Sequence, residues 1–276
     1  MSRFWFAFLL AFVLGATAVA AAGYDDFALG VSAFNRGDAE QAMADFTAAL
    51  NAGDLNPALL PIAYVDRARV YYAKGECSLA AADLAAAMKA KPDYVDAYLV
   101  RAQTDECLNQ DQAAIADFTQ AIALAPTAVN YAGRGRTRWN VGDFAGAADD
   151  YAQAVKLSPK APYYLLWLEL CRMRAGTYAQ GKAVQEVDAL DFDDWPETIL
   201  DFYAGKGTPE VVLQAAASDP DKLVYRQCEA NFYVAEWRLS QLNSEAARPL
   251  LEDAVAHCAH NMREYSASRR ELRRLK

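Results

Sequence analysis

Four alanines, Ala42, Ala80, Ala114 and Ala147, stand 38, 34 and 33 residues apart and bring the same neighbours each time. Four residues on comes a bulky side chain: Phe46, Leu84, Phe118 and Tyr151. Seven residues on comes a second alanine: Ala49, Ala87, Ala121 and Ala154. Five residues before stands a turn former, Gly37, Gly75, Asn109 or Gly142, and a proline closes each unit at Pro57, Pro92, Pro126 and Pro159. Self-similarity at this period marks a repeat architecture, in which each unit buries its apolar face by stacking on its neighbours. Alanines seven apart share one helix face. The eighth position of each unit is also small (Gly30, Ala68, Ala102, Gly135), which lets a second helix come close. The prolines end the second helix. Gly37-Asp38 and Gly142-Asp143 read as a helix stop followed by an N-cap.

Composition agrees with helices. Alanine, the strongest helix former, supplies 58 of the 276 residues. Aromatic residues at 12% give the chain enough to bury, which excludes a disordered class. A net charge of -9 and a pI near 4.8 repel phosphate, so nucleic acid is not an expected partner.

The pattern resembles the tetratricopeptide repeat (TPR) family from about residue 24 to 160. That resemblance implies an all-α fold, a right-handed superhelical stack of helix-turn-helix units. Four units occupy 23–161. A degenerate fifth spans 162–194, where Gly176 and Tyr178 hold the turn, but Gln185 and Asp188 replace an aromatic and an alanine. A helical connector covers 195–224. A further unit at 225–258 carries Ala235, Ala247, Leu251 and Ala254, and 259–276 reads as a capping helix. The C-terminal strings Trp195-Pro196, Phe202-Tyr203, Gly205-Lys206, Asn231-Phe232-Tyr233 and Glu264-Tyr265 are similar to the new-lipoprotein-I type of bacterial TPR proteins. That similarity implies a periplasmic adaptor docking cell-wall hydrolases and a processing protease.

The first twenty-two residues read as a secretory signal. Arg3 is followed by an apolar run and an Ala-rich end, with cleavage after Ala20 or Ala22. The competing reading is a retained anchor, since the apolar stretch approaches bilayer length. No cysteine lies near the cut, so no lipobox is present. The chain beyond it has no segment long and apolar enough to span a membrane, and the expected location is the periplasm.

Two cysteine pairs share a separation of 30 residues, Cys77 with Cys107 and Cys228 with Cys258. In a helical hairpin Cys228 and Cys258 fall at ends that meet, and Cys77 and Cys107 lie at one rim of the stack. Both are disulfide candidates, set against the alternative of five small buried thiols. Cys171 remains over in either case, mid-helix.

No catalytic constellation stands out, so neither an enzymatic activity nor a cofactor is expected. The cluster His257-Cys258-Ala259-His260 offers an alternative metal-binding or enzymatic site, although it lacks further ligands at zinc-like spacing. A homo-oligomeric structural role is a third reading. Function is expected in the concave groove lined by the first helix of each unit, which would take partner proteins or peptides. The repeat positions facing it give Phe27, Phe34, Arg69, Tyr72, Gln103, Arg136 and Trp139, beside Val65, Leu99 and Glu106. Arg134, Arg136 and Arg138 form a basic patch suited to a partner's carboxylates. Acid pairs such as Asp149-Asp150 and Asp193-Asp194 read as a solvated face. The basic tail from Arg269 to Lys276 reads as a polar cap, with an anionic surface such as lipid headgroups or cell-wall polymer as the competing reading.

Overall fold

A computed structural model describes residues 22–188, 195–260 and 262–276. Among the described residues there are fifteen α-helices and no strand, and none of these helices is long and apolar enough to cross a membrane. The chain divides into two compact units, one ending at Leu124 and the other beginning at Ala125.

The first unit holds α1 (Ala22–Asn35), α2 (Ala39–Ala52), α3 (Leu60–Ala73), α4 (Cys77–Ala90), α5 (Val95–Cys107) and α6 (Asp111–Leu124). They pack in consecutive pairs, α1 on α2, α3 on α4 and α5 on α6. The repeat alanines Ala42, Ala80 and Ala114 are fully buried, as are Ala49, Ala87 and Ala121. Gly37 and Gly75 turn the chain in the left-handed region, and Asn109 does the same with φ 58°. Asparagine tolerates that conformation better than other side chains. Asp38 then accepts a bond from the Gln41 amide and caps α2. At Gly30 a Cβ would lie 2.7 Å from the Phe46 ring, so the ring occupies the space the missing side chain leaves.

The second unit holds α7 (Ala128–Val141), α8 (Phe144–Leu157), α9 (Pro162–Ala175), α10 (Gln180–Asp188), α11 (Glu197–Tyr203), α12 (Pro209–Ala216), α13 (Leu223–Ser240), α14 (Ser244–His257) and α15 (Arg263–Arg274). Its core centres on Trp167. That ring stacks on Tyr151 at 5.7 Å and meets Trp139 edge-on at 5.6 Å, with Phe232 at 5.8 Å. The tail is part of this unit: Arg274 donates to the Trp139 and Asn140 carbonyls at 2.7 and 2.9 Å. These are carbonyls of the last turn of α7, and that of Trp139 also accepts from the capping Gly142 amide at 3.0 Å.

Of the leader, only Ala22 lies within the described residues, where it opens α1; Ala20 lies outside them, as do Asp193 and Asp194.

Candidate partner-binding face

In the first unit the helices that begin each pair touch in succession, α1 with α3 and α3 with α5. Phe34 of α1 and Tyr72 of α3 occupy the same repeat position, and each is 38% exposed. Phe27, two turns earlier on α1, is half-buried and leans on Phe46 with ring centroids 5.9 Å apart. Val65 is fully buried, and Gln103 of α5 is half-buried. Arg69 donates to Asp66 at 2.6 Å and to Asp96 of α5 at 2.9 Å, so it ties α3 to α5. Burial works against the Arg69 charge, but Asp96 and Asp66 outweigh it and raise its pKa. Burial raises the Asp66 carboxyl, with Arg69 pulling the other way. The face therefore presents aromatic area and an amide, with its arginine already held by two acids.

In the second unit Arg136 of α7 is half-buried. Trp139 is not on a groove: it is fully buried, with Phe144 4.7 Å away and the Arg174 guanidinium 5.4 Å from its ring centre. The basic patch also changes meaning. Arg134 and Arg138 both bond Asp150, which is 2% exposed rather than part of a solvated face. Sequence reading missed this use of Asp150, although the signal was present: Arg67–Asp83 and Arg101–Asp117 repeat the sixteen-residue spacing of Arg134–Asp150.

Cys77 and Cys107 pair at disulfide distance with Cα atoms 6.4 Å apart, and Cys228 and Cys258 do so at 5.2 Å. Cys171 is buried and free, and burial pushes its thiol pKa well up. The His257–His260 segment is occupied in other ways. Cys258 is bonded to Cys228, His257 contacts Asp253 of its own helix at 3.0 Å, and His260 stacks on Tyr265. Among the described residues no three His, Cys, Asp or Glu side chains gather to hold a metal ion.

No protein-family model matches the chain. Solved structures match it in fold. A tetratricopeptide repeat protein from Parabacteroides merdae superposes with a TM-score of 0.61 at 14% identity, covering 91% of this chain and 98% of that one. MamA from Desulfovibrio magneticus, from residue 41 to its end, gives 0.54 at 16%, covering 63% and 95%. The C-terminal part of a TPR repeat-containing protein from Cytophaga hutchinsonii gives 0.51 at 15%, covering 89% and 87%. The chain is an all-α helical-repeat protein with the tetratricopeptide repeat fold.

Proposed function

We propose that the chain is a non-enzymatic scaffold that binds partner proteins or peptides through the α1–α3–α5 face, with Phe34, Tyr72 and Gln103 as its contacts. One observation carries this reading: Phe34 and Tyr72, at one repeat position on touching helices, are left more than a third exposed in a fold that buries its other repeat anchors. Large aromatics buried on binding are where interface energy concentrates. The compartment we infer is the periplasm. The leader-like residues 1–22 and the two cysteine pairs support it, since disulfides persist in oxidising compartments. A role in cell-envelope maintenance follows from the similarity of the C-terminal strings.

The test places a photo-crosslinking amino acid at Phe34, at Tyr72 and, as a control, at the exposed Lys89 of α4. Adducts of defined mass from positions 34 and 72 but not from 89 are expected. No adduct, or the same adducts from all three, would remove the reading. Protease treatment of spheroplasts tests the compartment, and protection of the chain would contradict it.

A further inference from the structure

The second unit contains a cleft of about 440 Å³ where α9, α13 and α15 meet. Tyr163, Tyr164 and Trp167 line it from α9, Tyr225 and Glu229 from α13, and Glu264 from the start of α15. Tyr225 and Glu229 are four residues apart and share a helix face. Glu229 is 1% exposed and Glu264 5%.

The charge balance of this unit is uneven. Its other buried carboxylates, Asp150, Glu169, Glu236 and Glu271, each bond an arginine. Among the described residues Glu229 and Glu264 have no ion pair. Neutral donors reach them instead: Tyr163 and the Trp195 indole donate to Glu229 Oε2, and the Tyr233 hydroxyl donates to Glu264 Oε1 at 3.2 Å. Glu229 Oε1 accepts no hydrogen bond among the described residues. Arg226 is near Glu229, but its guanidinium lies over the Trp195 ring, 3.6 Å from Asp219.

Two buried carboxylates with no described arginine or lysine at ion-pair distance, in a cleft lined by four aromatic side chains, form a receptor for one positive charge. Arg263 at the rim and Arg226 offset their negative charge only in part. Ring faces attract cations, and the attraction grows as water is excluded. With Oε2 of Glu229 already taken by two donors, Glu229 offers no two-oxygen fork to a guanidinium, and a compact ammonium suits its remaining oxygen better. Its methylene stem would lie along the tyrosines. Beside the cleft Tyr225 and Val224 are 54% and 61% exposed, which offers apolar ground to the residues flanking such a side chain. Arg263, also at the lining and exposed, can donate to a backbone carbonyl.

We propose that this cleft receives the ammonium of a lysine side chain from a partner polypeptide, held between Glu229, Glu264 and the tyrosine faces. It rests on the reading that the chain binds polypeptides, and it gives that binding a second contact of stated chemistry. Burial, and next the neighbouring Glu264, push the Glu229 carboxyl up to about 7, a strain that an arriving cation would relieve.

Saturation-transfer NMR at about pH 8, where Glu229 is ionised, tests it. The probes are n-butylammonium, neutral n-butanol, and the peptide acetyl-Gly-Lys-Gly-amide with its norleucine counterpart. Saturable binding of butylammonium and the lysine peptide is expected, with butanol and the norleucine peptide silent. Glu229→Gln should weaken binding about tenfold, the size of one charge-assisted hydrogen bond. Tyr225→Ala, at a position 54% exposed, should weaken it too. Equal binding of amine and alcohol, no saturation, or indifference to both variants would overturn the proposal. A peptide that binds no better than butylammonium would overturn the polypeptide occupant in favour of a free amine. Crosslinking at Phe34 and Tyr72 does not involve this cleft, so a silent cleft with intact crosslinks sinks this proposal alone.

Discussion

Arg134 lays its guanidinium along both carboxylate oxygens of Asp150, Nε 3.0 Å from Oδ2 and Nη2 2.7 Å from Oδ1. It joins the two helices of a pair, and the same clasp recurs at Arg67–Asp83 and Arg101–Asp117. Each acid sits on the second helix of its pair and is buried. Two parallel bonds to an ionised acid fix orientation as well as adding energy. Removing one member of a buried pair leaves the other charged and unanswered. Asp150→Ala, which takes from Arg134 and Arg138 the buried acid they share, should cost about 3 kcal/mol in urea unfolding. Asp149→Ala, one residue away and exposed, should stay within about 0.5 kcal/mol. Equal losses would show that the clasp does not stabilise the pair.

Gly30→Ala separates helix propensity from packing. In an open helix the change would gain about 1 kcal/mol. Here the added Cβ would lie 2.7 Å from the Phe46 ring, which is fully buried and would have to shift. Overpacking of this kind costs about 1–3 kcal/mol, so a net loss of stability is expected. The compensating variant is Gly30→Ala with Phe46→Leu, which should recover part of the loss. A Gly30→Ala protein more stable than its parent would contradict this packing.

Much of this architecture was legible because small residues at fixed spacing are dictated by how closely two helices must approach. Ala42, Ala80, Ala114 and Ala147 are buried for the reason their spacing suggests. Exposure is harder to read. Repeat position alone places Phe34, Tyr72 and Trp139 alike, yet the first two are partly exposed and Trp139 is fully buried. The difference lies in what covers each: Trp167 of α9 and Phe144 of α8 close over Trp139, and no periodic pattern announces them. Charge misled in the same way. Arg134 and Arg138 look like a free patch until Asp150 is brought to them by the helix turn. The cleft at Glu229 joins residues 163, 229 and 264, a separation that no local motif spans.

The cysteine pairs predict a labelling pattern. Denatured but unreduced protein should take one alkyl group, at Cys171, and five after reduction. In the native state Cys171 should resist labelling, since it is fully buried and its thiol is held protonated. Each bridge closes a loop of 30 residues, for which chain entropy implies about 3–4 kcal/mol. Cys228→Ser with Cys258→Ser should therefore lower the urea midpoint. Five labels before reduction would mean that neither bridge forms.

Glu229 predicts the direction of a pH dependence. In the unfolded chain its carboxyl loses a proton near the ordinary 4.5, whereas in the folded protein it does so at about 7. Folding thus favours the protonated acid, and the Glu229 contribution to stability falls as pH rises between those values. The groups facing it set the size of the effect: Glu264 of α15 raises it further, while Trp195, Tyr163 of α9 and Arg226 of α13 oppose it. Glu169, also pushed to about 7, and Glu236 move the same way, so the parent protein's slope is a sum. Glu229→Gln isolates one term. At about pH 8 the variant should be more stable than the parent by about 1–3 kcal/mol, an advantage that vanishes near pH 4. Urea unfolding of both proteins across that range reads it directly. A difference that stays constant with pH would mean that the Glu229 carboxyl titrates at its ordinary value in the folded state.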